Sequence, residues 1–243
     1  MFLLIALGAV IGFLSGFFGI GGGTLLVPAL MLLGFGIKEA IGISVMQMSF
    51  SSIYGSYLNF KKGTLIARDG LLLGAGGFLG AQGSGYVVSV VSAHTLSLFF
   101  LFSVCMAIFK FFITPVHIQK EEVDSKVTIF LLGVFVGLFA ISIGVGGGLF
   151  LTPILVGFLN YDLKKAVSMS LFFIIFSSLS GFISLSLFGH IDYYTGVIVG
   201  ISSLIGVFFG VKSSHIISKK HHKTLLLVLY FVILGLMVDK LYF

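Results

Sequence analysis

The stretch Gly19-Ile20-Gly21-Gly22-Gly23-Thr24-Leu25-Leu26-Val27-Pro28 recurs in similar form later in the chain, as Gly144-Val145-Gly146-Gly147-Gly148-Leu149-Phe150-Leu151-Thr152-Pro153. Each copy follows a long apolar run and precedes a short one. In a lipid bilayer, glycines that interrupt a helix free backbone N–H and C=O groups that only protein or a bound ligand can satisfy. Two interruptions at corresponding positions indicate a binding site where two halves of a membrane protein meet.

The composition is that of a membrane protein. Of 243 residues, 58% are hydrophobic and 9% are charged. Apolar runs near the ~20 residues that cross a bilayer follow one another, and they are continuous, which is typical of helices and not of a β-barrel. The net charge of +6 needs no nucleic-acid partner, since basic residues collect in cytoplasmic loops. The single cysteine, Cys105, excludes an intramolecular disulfide and a multi-thiolate site, and we expect no metal and no cofactor. The sequence therefore predicts an all-α integral membrane protein.

Comparison of the chain with itself indicates an internal duplication. An offset of 125 residues superposes the two glycine triplets and then Pro28 on Pro153. One residue is then gained, and an offset of 126 superposes Ser44 on Ser170. The shared order of glycines, proline and serine is more than a glycine-rich chain produces by chance. We predict a first transmembrane repeat at 1–113, a cytoplasmic linker at 114–126 and a second transmembrane repeat at 127–243.

Each predicted repeat contains five apolar segments. The second segment of each has about 12 residues, which extend roughly 18 Å and cannot cross a hydrocarbon core of about 30 Å. Each repeat should therefore contain a short half-helix after its glycine triplet. Glycines spaced by four, such as Gly8 and Gly12, predict close helix packing. The segments are 2–18, 24–35, 40–60, 66–92 and 95–113 in the first repeat, and 127–143, 149–160, 166–188, 191–211 and 223–241 in the second.

The basic residues predict how the two repeats are oriented. They cluster between the third and fourth segments of the first repeat but around the loop between the fourth and fifth segments of the second, so corresponding loops lie on opposite sides of the membrane. This predicts two inverted repeats with both termini outside. In parallel repeats the two basic clusters would lie on opposite sides of the membrane, against the rule that basic loops are cytoplasmic. We interpret residues 219–223, with His221 and His222, as a loop that touches anionic headgroups. The clusters are Lys61, Lys62 and Arg68 in the first repeat, and Lys212, Lys219, Lys220 and Lys223 in the second.

The short helix after each triplet offers a site for a small anion. Its first backbone N–H groups have no partner within the helix, glycine lets a ligand approach them, and the helix dipole favours negative charge there. Thr24 adds a hydroxyl donor where the second repeat has Leu149. We expect Pro28 and Pro153 in the first turn or so of each short helix, where a missing N–H costs little. The alternative is that the glycines only permit tight packing or a bend.

The third segments supply further polar atoms. One helix face of the first repeat carries, at spacings of three, four and three, the residues Ser44, Gln47, Ser51 and Tyr54. The second repeat has Ser170 opposite Ser44 but Phe173 opposite Gln47. An amide is costly to leave unpaired in lipid, so Gln47 is the stronger candidate, whereas serines in membrane helices commonly bond within the protein. The predicted substrate-binding residues are Gly21, Gly22, Gly23, Thr24, Ser44, Gln47, Gly146, Gly147, Gly148 and Ser170.

These motifs form a pattern that is characteristic when taken together. It consists of Gly16-Phe17-Phe18-Gly19-Ile20-Gly21-Gly22-Gly23 with Pro28 downstream and Ala40-x-Gly42-x-Ser44, repeated as Gly144 to Gly148, Pro153 and Ala166-x-Ser168-x-Ser170. Over its whole length the chain resembles the TauE/SafE family of sulfite exporters and related permeases. The departures are Ser168 in place of Gly42 and Leu149 in place of Thr24. The resemblance implies a multi-pass permease of the bacterial inner membrane that moves sulfite, a sulfonate or another sulfur-containing anion.

We therefore expect a permease whose partners are a small anionic substrate and membrane lipids. The alternatives are a permease for another small solute or a metal ion, and a membrane subunit that transports nothing itself. An enzyme is not expected, because the apolar segments contain no acid pair, no Cys–His pair and no cluster of metal ligands. No Asp or Glu lies at a segment centre, which argues against a buried carboxylate relay, and His190 at a segment end is a candidate proton-coupling group.

Overall fold

The computed structural model describes residues 1–63, 67–113 and 125–242, and all regular secondary structure in these ranges is α-helical. Long apolar runs form helices because a helix satisfies its backbone hydrogen bonds within one segment. The predicted linker 114–126 lies outside the described residues except at its last two positions. The helices are α1 (Phe2–Phe18), α2 (Gly23–Leu32), α3 (Ile37–Lys61), α4 (Ala67–Ala81), α5 (Ser84–Val90), α6 (Ala93–Ile113), α7 (Lys126–Ser142), α8 (Gly148–Gly157), α9 (Leu163–Leu187), α10 (Tyr193–Ile216) and α11 (Lys219–Tyr242).

Corresponding helices of the two halves have equal lengths. Helices α1 and α7 have 17 residues each, α2 and α8 have 10 each, and α3 and α9 have 25 each. The 10-residue helices confirm that a short helix follows each glycine triplet. At a rise of 1.5 Å per residue each extends about 15 Å, roughly half the thickness of a hydrocarbon core. Both begin at buried glycines, Gly23 and Gly148, and reach exposed residues, Leu32 and Phe158, at the other end.

The fourth segment is where the two halves differ. A single segment was expected over 66–92, but the chain forms α4 and α5 there, whereas α10 is unbroken. The break falls at Gln82 and Gly83. Ser184 on α9 binds the backbone freed by this break, because its Oγ donates to the carbonyl of Gln82 (2.6 Å) and accepts from the N–H of Gly85 (3.0 Å). The predicted segment 66–92 corresponds to the single candidate span Arg68–Val90, and a side chain from the other half stabilises the interruption within it.

Five stretches of the described residues are long and apolar enough to cross a membrane. Helix α3 is as long as α9 but carries more polar side chains, and it is not one of the five. Helices α1, α2, α7 and α8 are apolar but shorter. Together these helices make the chain an all-α, multi-pass membrane protein. The five stretches are Arg68–Val90, Ala93–Lys110, Leu163–Leu187, Tyr193–Ile216 and His221–Lys240.

Helices of one half pack on helices of the other in matched pairs. Helix α1 lies on α10, and its counterpart α7 lies on α4. A methyl group added at Gly12 of α1 would overlap the backbone of Ser203, and one at Gly137 of α7 would overlap the backbone of Gly77. These contacts confirm the close packing predicted for the α1 glycines. They are also the paired contacts that a duplication produces, while the inversion of the halves across the membrane stays a prediction.

Candidate functional site

Both glycine triplets form sharp turns between two helices. The first turn joins α1 to α2, and the second joins α7 to α8. Each contains three glycines with positive φ, a conformation that residues with a Cβ rarely adopt, so the turns require glycine. These are Gly19 (70°), Gly21 (81°) and Gly22 (78°) in the first turn, and Gly144 (72°), Gly146 (76°) and Gly147 (87°) in the second.

The two turns contact each other inside the protein. A methyl group added at Gly23 would overlap the carbonyl oxygen of Gly144, and one added at Gly148 would overlap the carbonyl oxygen of Gly19. Each short helix therefore begins against the turn of the other half. The contact is reciprocal, because the offset of 125 residues converts one pair into the other. The structure thus brings together the two motifs from which the sequence predicted a site.

The turns contain backbone donors without acceptors. Residues 21–24 and 146–149 are all buried, yet among the described residues no group accepts a hydrogen bond from their N–H groups. The first donors of α2 are Leu25 and Leu26, both bonded to the carbonyl of Gly22 (3.2 and 3.0 Å), and α8 begins in the same way. Buried N–H groups are nearly always paired, so a cluster of free ones at two helix N-termini has the chemistry of an anion site.

Two side chains of the first half add unpaired polar atoms. Thr24 and Gln47 are fully buried, and neither the Thr24 hydroxyl nor the Gln47 amide has a hydrogen-bond partner among the described residues. The amide lies directly on the first turn, since a methyl group at Gly22 would be 2.7 Å from Gln47 Oε1. Burial of an amide or hydroxyl without a partner costs roughly 1–3 kcal/mol in proteins. Both residues were predicted as substrate contacts, and they border the free backbone donors.

The second half lines the site with apolar groups. Phe173 occupies the position that corresponds to Gln47, and its ring carbon Cε1 would be 2.5 Å from a methyl group at Gly147. Leu149, which corresponds to Thr24, is fully buried. The backbone of the two turns is therefore alike, but among the described residues unpaired polar side chains border the first turn and not the second. The site has one polar wall and one apolar wall.

Met48 is a lining residue that the sequence did not single out. Its sulfur would lie 3.2 Å from a methyl group at Gly21 and even closer to one at Gly146. The thioether therefore sits between the two turns. The offset of 126 relates Met48 to Ile174, whose Cδ1 would be 2.7 Å from the methyl group at Gly21. Its position next to Gln47 in α3 could have indicated that Met48 lines the site. An apolar side chain at such a position, however, ordinarily packs in the protein core.

The predicted serines are hydrogen-bonded within the protein. Ser44 Oγ donates to the carbonyl of Gly144 (2.8 Å), so it ties α3 to the second turn. Ser170 Oγ and Thr152 Oγ1 are 3.2 Å apart and share a hydrogen bond. Ser51 accepts from Ser15 (3.3 Å). These contacts fit the packing alternative for the serines, and a hydroxyl that already donates can offer a ligand only its acceptor lone pairs.

The two prolines lie deeper in the short helices than expected. Pro28 is the sixth residue of α2 and Pro153 the sixth of α8, so the prediction of the first turn was wrong. At that depth a proline removes an intrahelical hydrogen bond and leaves the carbonyl four residues earlier without its donor. Those carbonyls belong to Thr24 and Leu149. Each short helix therefore also carries, in its first turn, a carbonyl that lacks the usual donor four residues later.

Within the described part of the chain, the atoms nearest to the triplet glycines belong to no titratable side chain. Among the described residues no group of three or more His, Cys, Asp or Glu is placed to hold a metal ion. His190 lies between α9 and α10, outside the candidate spans. Burial, and secondarily the charge of Lys38, lowers the pKa of His190, so its imidazole is neutral at neutral pH. The polar groups in direct contact with the turns are therefore backbone groups and neutral side chains such as Ser44 and Gln47.

Comparison with known proteins identifies the family. The family model described as "Sulfite exporter TauE/SafE" matches residues 4–237. The chain belongs to the TauE/SafE family. A "Probable membrane transporter protein" of Methanocaldococcus jannaschii is 30% identical over 243 residues, which cover 92% of this chain and 90% of that protein. "Probable membrane transporter protein YdhB" of Bacillus subtilis is 25% identical over 224 residues, covering 89% and 91%. No solved structure matches the chain.

Proposed function

We propose that this TauE/SafE protein is a permease that moves sulfite, a sulfonate or another small sulfur-containing anion across the cell membrane. Binding takes place where the two glycine turns meet. The proposal rests on a cluster of buried N–H groups, those of residues 21–24 and 146–149, which have no acceptor among the described residues. The unpaired side chains of Thr24 and Gln47 lie beside this cluster. We assign the site to the glycines, Thr24 and Gln47 that the sequence predicts as substrate contacts.

Backbone dipoles suit this task better than a buried lysine or arginine. The N-terminus of a helix carries roughly half a positive charge, and two such ends face the same region here. Their donors are fixed by the turns, so no side chain has to be ordered when the anion arrives. Desolvating a full cation in lipid costs several kcal/mol, whereas uncharged donors avoid that cost. Because its donors carry only partial charges, a site of this kind can select the anion and still release it on the other side of the membrane.

The two unlike walls suit an anion that is polar on one side only. The N–H groups, Thr24 and Gln47 supply donors for sulfur-bound oxygens. Phe173, Leu149 and the sulfur of Met48 supply an apolar surface for the lone-pair face of sulfite or the carbon end of a sulfonate. Sulfate presents oxygens in all directions and leaves some of them against apolar groups. The family description, which names sulfite, supports the same class of substrate.

Flux into liposomes tests this function. Purified protein is reconstituted, and uptake of sulfite, methanesulfonate, sulfate and sodium ions is measured separately. We expect sulfite or methanesulfonate to enter faster than sulfate, and Thr24→Val and Gln47→Leu to slow the uptake. The matched controls are Ser203→Ala, whose hydroxyl bonds within α10 (2.7 Å to the carbonyl of Gly200), and Gln82→Leu, whose amide is exposed. Uptake of sodium alone would identify a cation permease, and no uptake of any solute would identify a subunit without transport of its own.

A further inference from the structure

A second polar cavity lies beside the first glycine turn. It has a volume of about 10 Å³ and is formed where the end of α3, the start of α9, the end of α10 and the start of α11 meet. Its lining includes Lys164, Ser168, His215 and His222. We infer that this cavity is an anion-binding site distinct from the glycine turns, in which Lys164 and His222 hold one small inorganic anion.

His222 is the group that requires an occupant. Its side chain is 1% exposed, and neither ring nitrogen has a hydrogen-bond partner among the described residues. The ring is fixed by stacking on Phe17 (centroids 4.9 Å apart, 15° between planes) and by an edge contact with Phe18 (5.4 Å, 82°). An imidazole always offers at least one N–H donor, and leaving it buried and unpaired is costly. The expectation that residues 219–223 form a headgroup-contacting loop was wrong for His222, because α11 begins at Lys219 and turns this ring inward.

Lys164 makes the cavity suitable for a negative charge. Its ammonium donates to the carbonyl of His215 (3.0 Å), and within the described residues no carboxylate forms an ion pair with it. The nearest acidic residue along the chain, Asp162, accepts from the backbone N–H of Lys164 (2.9 Å) as the helix cap. The imidazole of His215 is held by Asn59 Oδ1 (3.1 Å from Nε2). An ammonium without a counter-ion beside a free N–H donor favours an anion over a water molecule.

The first half contains the same lysine without the polar surroundings. Lys38, which corresponds to Lys164 by the offset of 126, donates to the carbonyl of Ser89 (3.1 Å), the residue that corresponds to His215. The position of His222 is taken there by Leu96, which is 1% exposed. The lysine-to-carbonyl contact is therefore common to both halves, whereas the imidazole beside it belongs to one. This makes Lys38 a natural control for Lys164, and it restricts the anion site to one end of the protein.

The cavity lies one side chain away from the first turn. Val167 lines it, and Val167 Cγ1 would be 2.6 Å from a methyl group at Gly19. Phe17 and Phe18, which contact His222, immediately precede that glycine. The volume is close to the minimum that holds one water molecule, so a halide or one oxygen of an oxyanion enters when the lining side chains move slightly. This end of the protein also contains Lys62 and Lys212, the end that the charge pattern predicts to be cytoplasmic.

Titration of the purified full-length protein tests the site. Sodium bromide and sodium sulfite are titrated by calorimetry in a gluconate buffer, and ¹⁵N signals of the histidine rings are followed with bromide. We expect His222→Phe, which keeps the stacking on Phe17, and Lys164→Gln each to weaken one binding event at least about tenfold, the loss of one hydrogen bond to a charged ligand. Lys38→Gln and His221→Phe, with His221 exposed and bonded to Ser218 (2.7 Å), should bind as the wild type does.

Two results separate this site from the glycine turns and from a folding defect. His222→Phe should unfold at the same temperature as the wild type or higher without anion, because it removes an unpaired group, but it should lose stabilisation by bromide. Gln47→Leu should leave the bromide shift of the His222 signal intact, even if the proposed transport site is wrong. Unchanged titrations in both His222→Phe and Lys164→Gln, or a His222 signal that does not respond to bromide or sulfite, would overturn the inference.

Discussion

Replacing Gln47 with leucine should make the empty protein more stable and its anion binding weaker. The amide is fully buried against Gly22 and has no hydrogen-bond partner in the described part of the chain. Removing an unpaired buried amide should raise the stability of the empty protein by about 1–3 kcal/mol. Losing its hydrogen bond to a charged ligand should cost roughly 1.5–3 kcal/mol of binding, which is about ten- to more than a hundredfold in Kd. The two effects have opposite signs, as expected for a residue retained for binding.

Thermal unfolding in detergent, with and without sulfite, measures both effects on one sample. Gln47→Leu should unfold at a higher temperature than the wild type without sulfite and should gain less from added sulfite. Gln82→Leu is the control, because its amide is exposed at the break between α4 and α5. If Gln47→Leu destabilised the empty protein and bound sulfite with unchanged affinity, the amide would be a structural group and the reasoning would fail.

Three further predictions test the turns, the topology and the surface charges. Gly22→Ala should slow transport, since the added methyl would lie 2.7 Å from Gln47 Oε1 and displace the amide, whereas Gly34→Ala, which also has positive φ (94°) but no atom within 4 Å, should transport normally; equal effects would show that backbone strain alone matters. In a variant with the exposed Cys105 replaced, single cysteines near Lys62 and Lys220 should be labelled from the cytoplasm and those near His94 and His190 from outside; labelling of positions 94 and 220 from one side would exclude inverted repeats. Neutralising Lys219, Lys220 and Lys223 together should change sulfite binding at the glycine turns only slightly, because exposed charges beyond a Debye length of about 8 Å are screened at physiological salt; a large loss of binding there would contradict a site built from backbone donors.

The sequence was sufficient for the features that depend on local chemistry. Three consecutive glycines inside an apolar run cannot continue a helix without cost, so two turns and two short helices followed from the chain alone. The duplication pairs Gln47 with Phe173 and Thr24 with Leu149 from the sequence alone. The free donors at the start of each short helix followed from helix geometry.

The remaining features depend on contacts between distant parts of the chain. The break between α4 and α5 is stabilised by Ser184, about 100 positions later, and no local pattern near Gln82 reveals that partner. The hydroxyl of Ser44 looked free for a ligand, but the second turn supplies its acceptor, the carbonyl of Gly144. His222 stands in a basic stretch typical of a surface, and only the packing of α11 on Phe17 buries it.

Locating a bound anion in the protein would show whether the two glycine turns form the binding site. Selenite, the selenium analogue of sulfite, can be bound to the wild-type protein and located by anomalous diffraction from crystals. We expect a selenium peak between the two turns, with selenite oxygens about 3 Å from N–H groups of residues 21–24 or 146–149 and from the Gln47 amide. A peak found only beside Lys164 and His222, or turns whose N–H groups are paired with protein atoms, would contradict it.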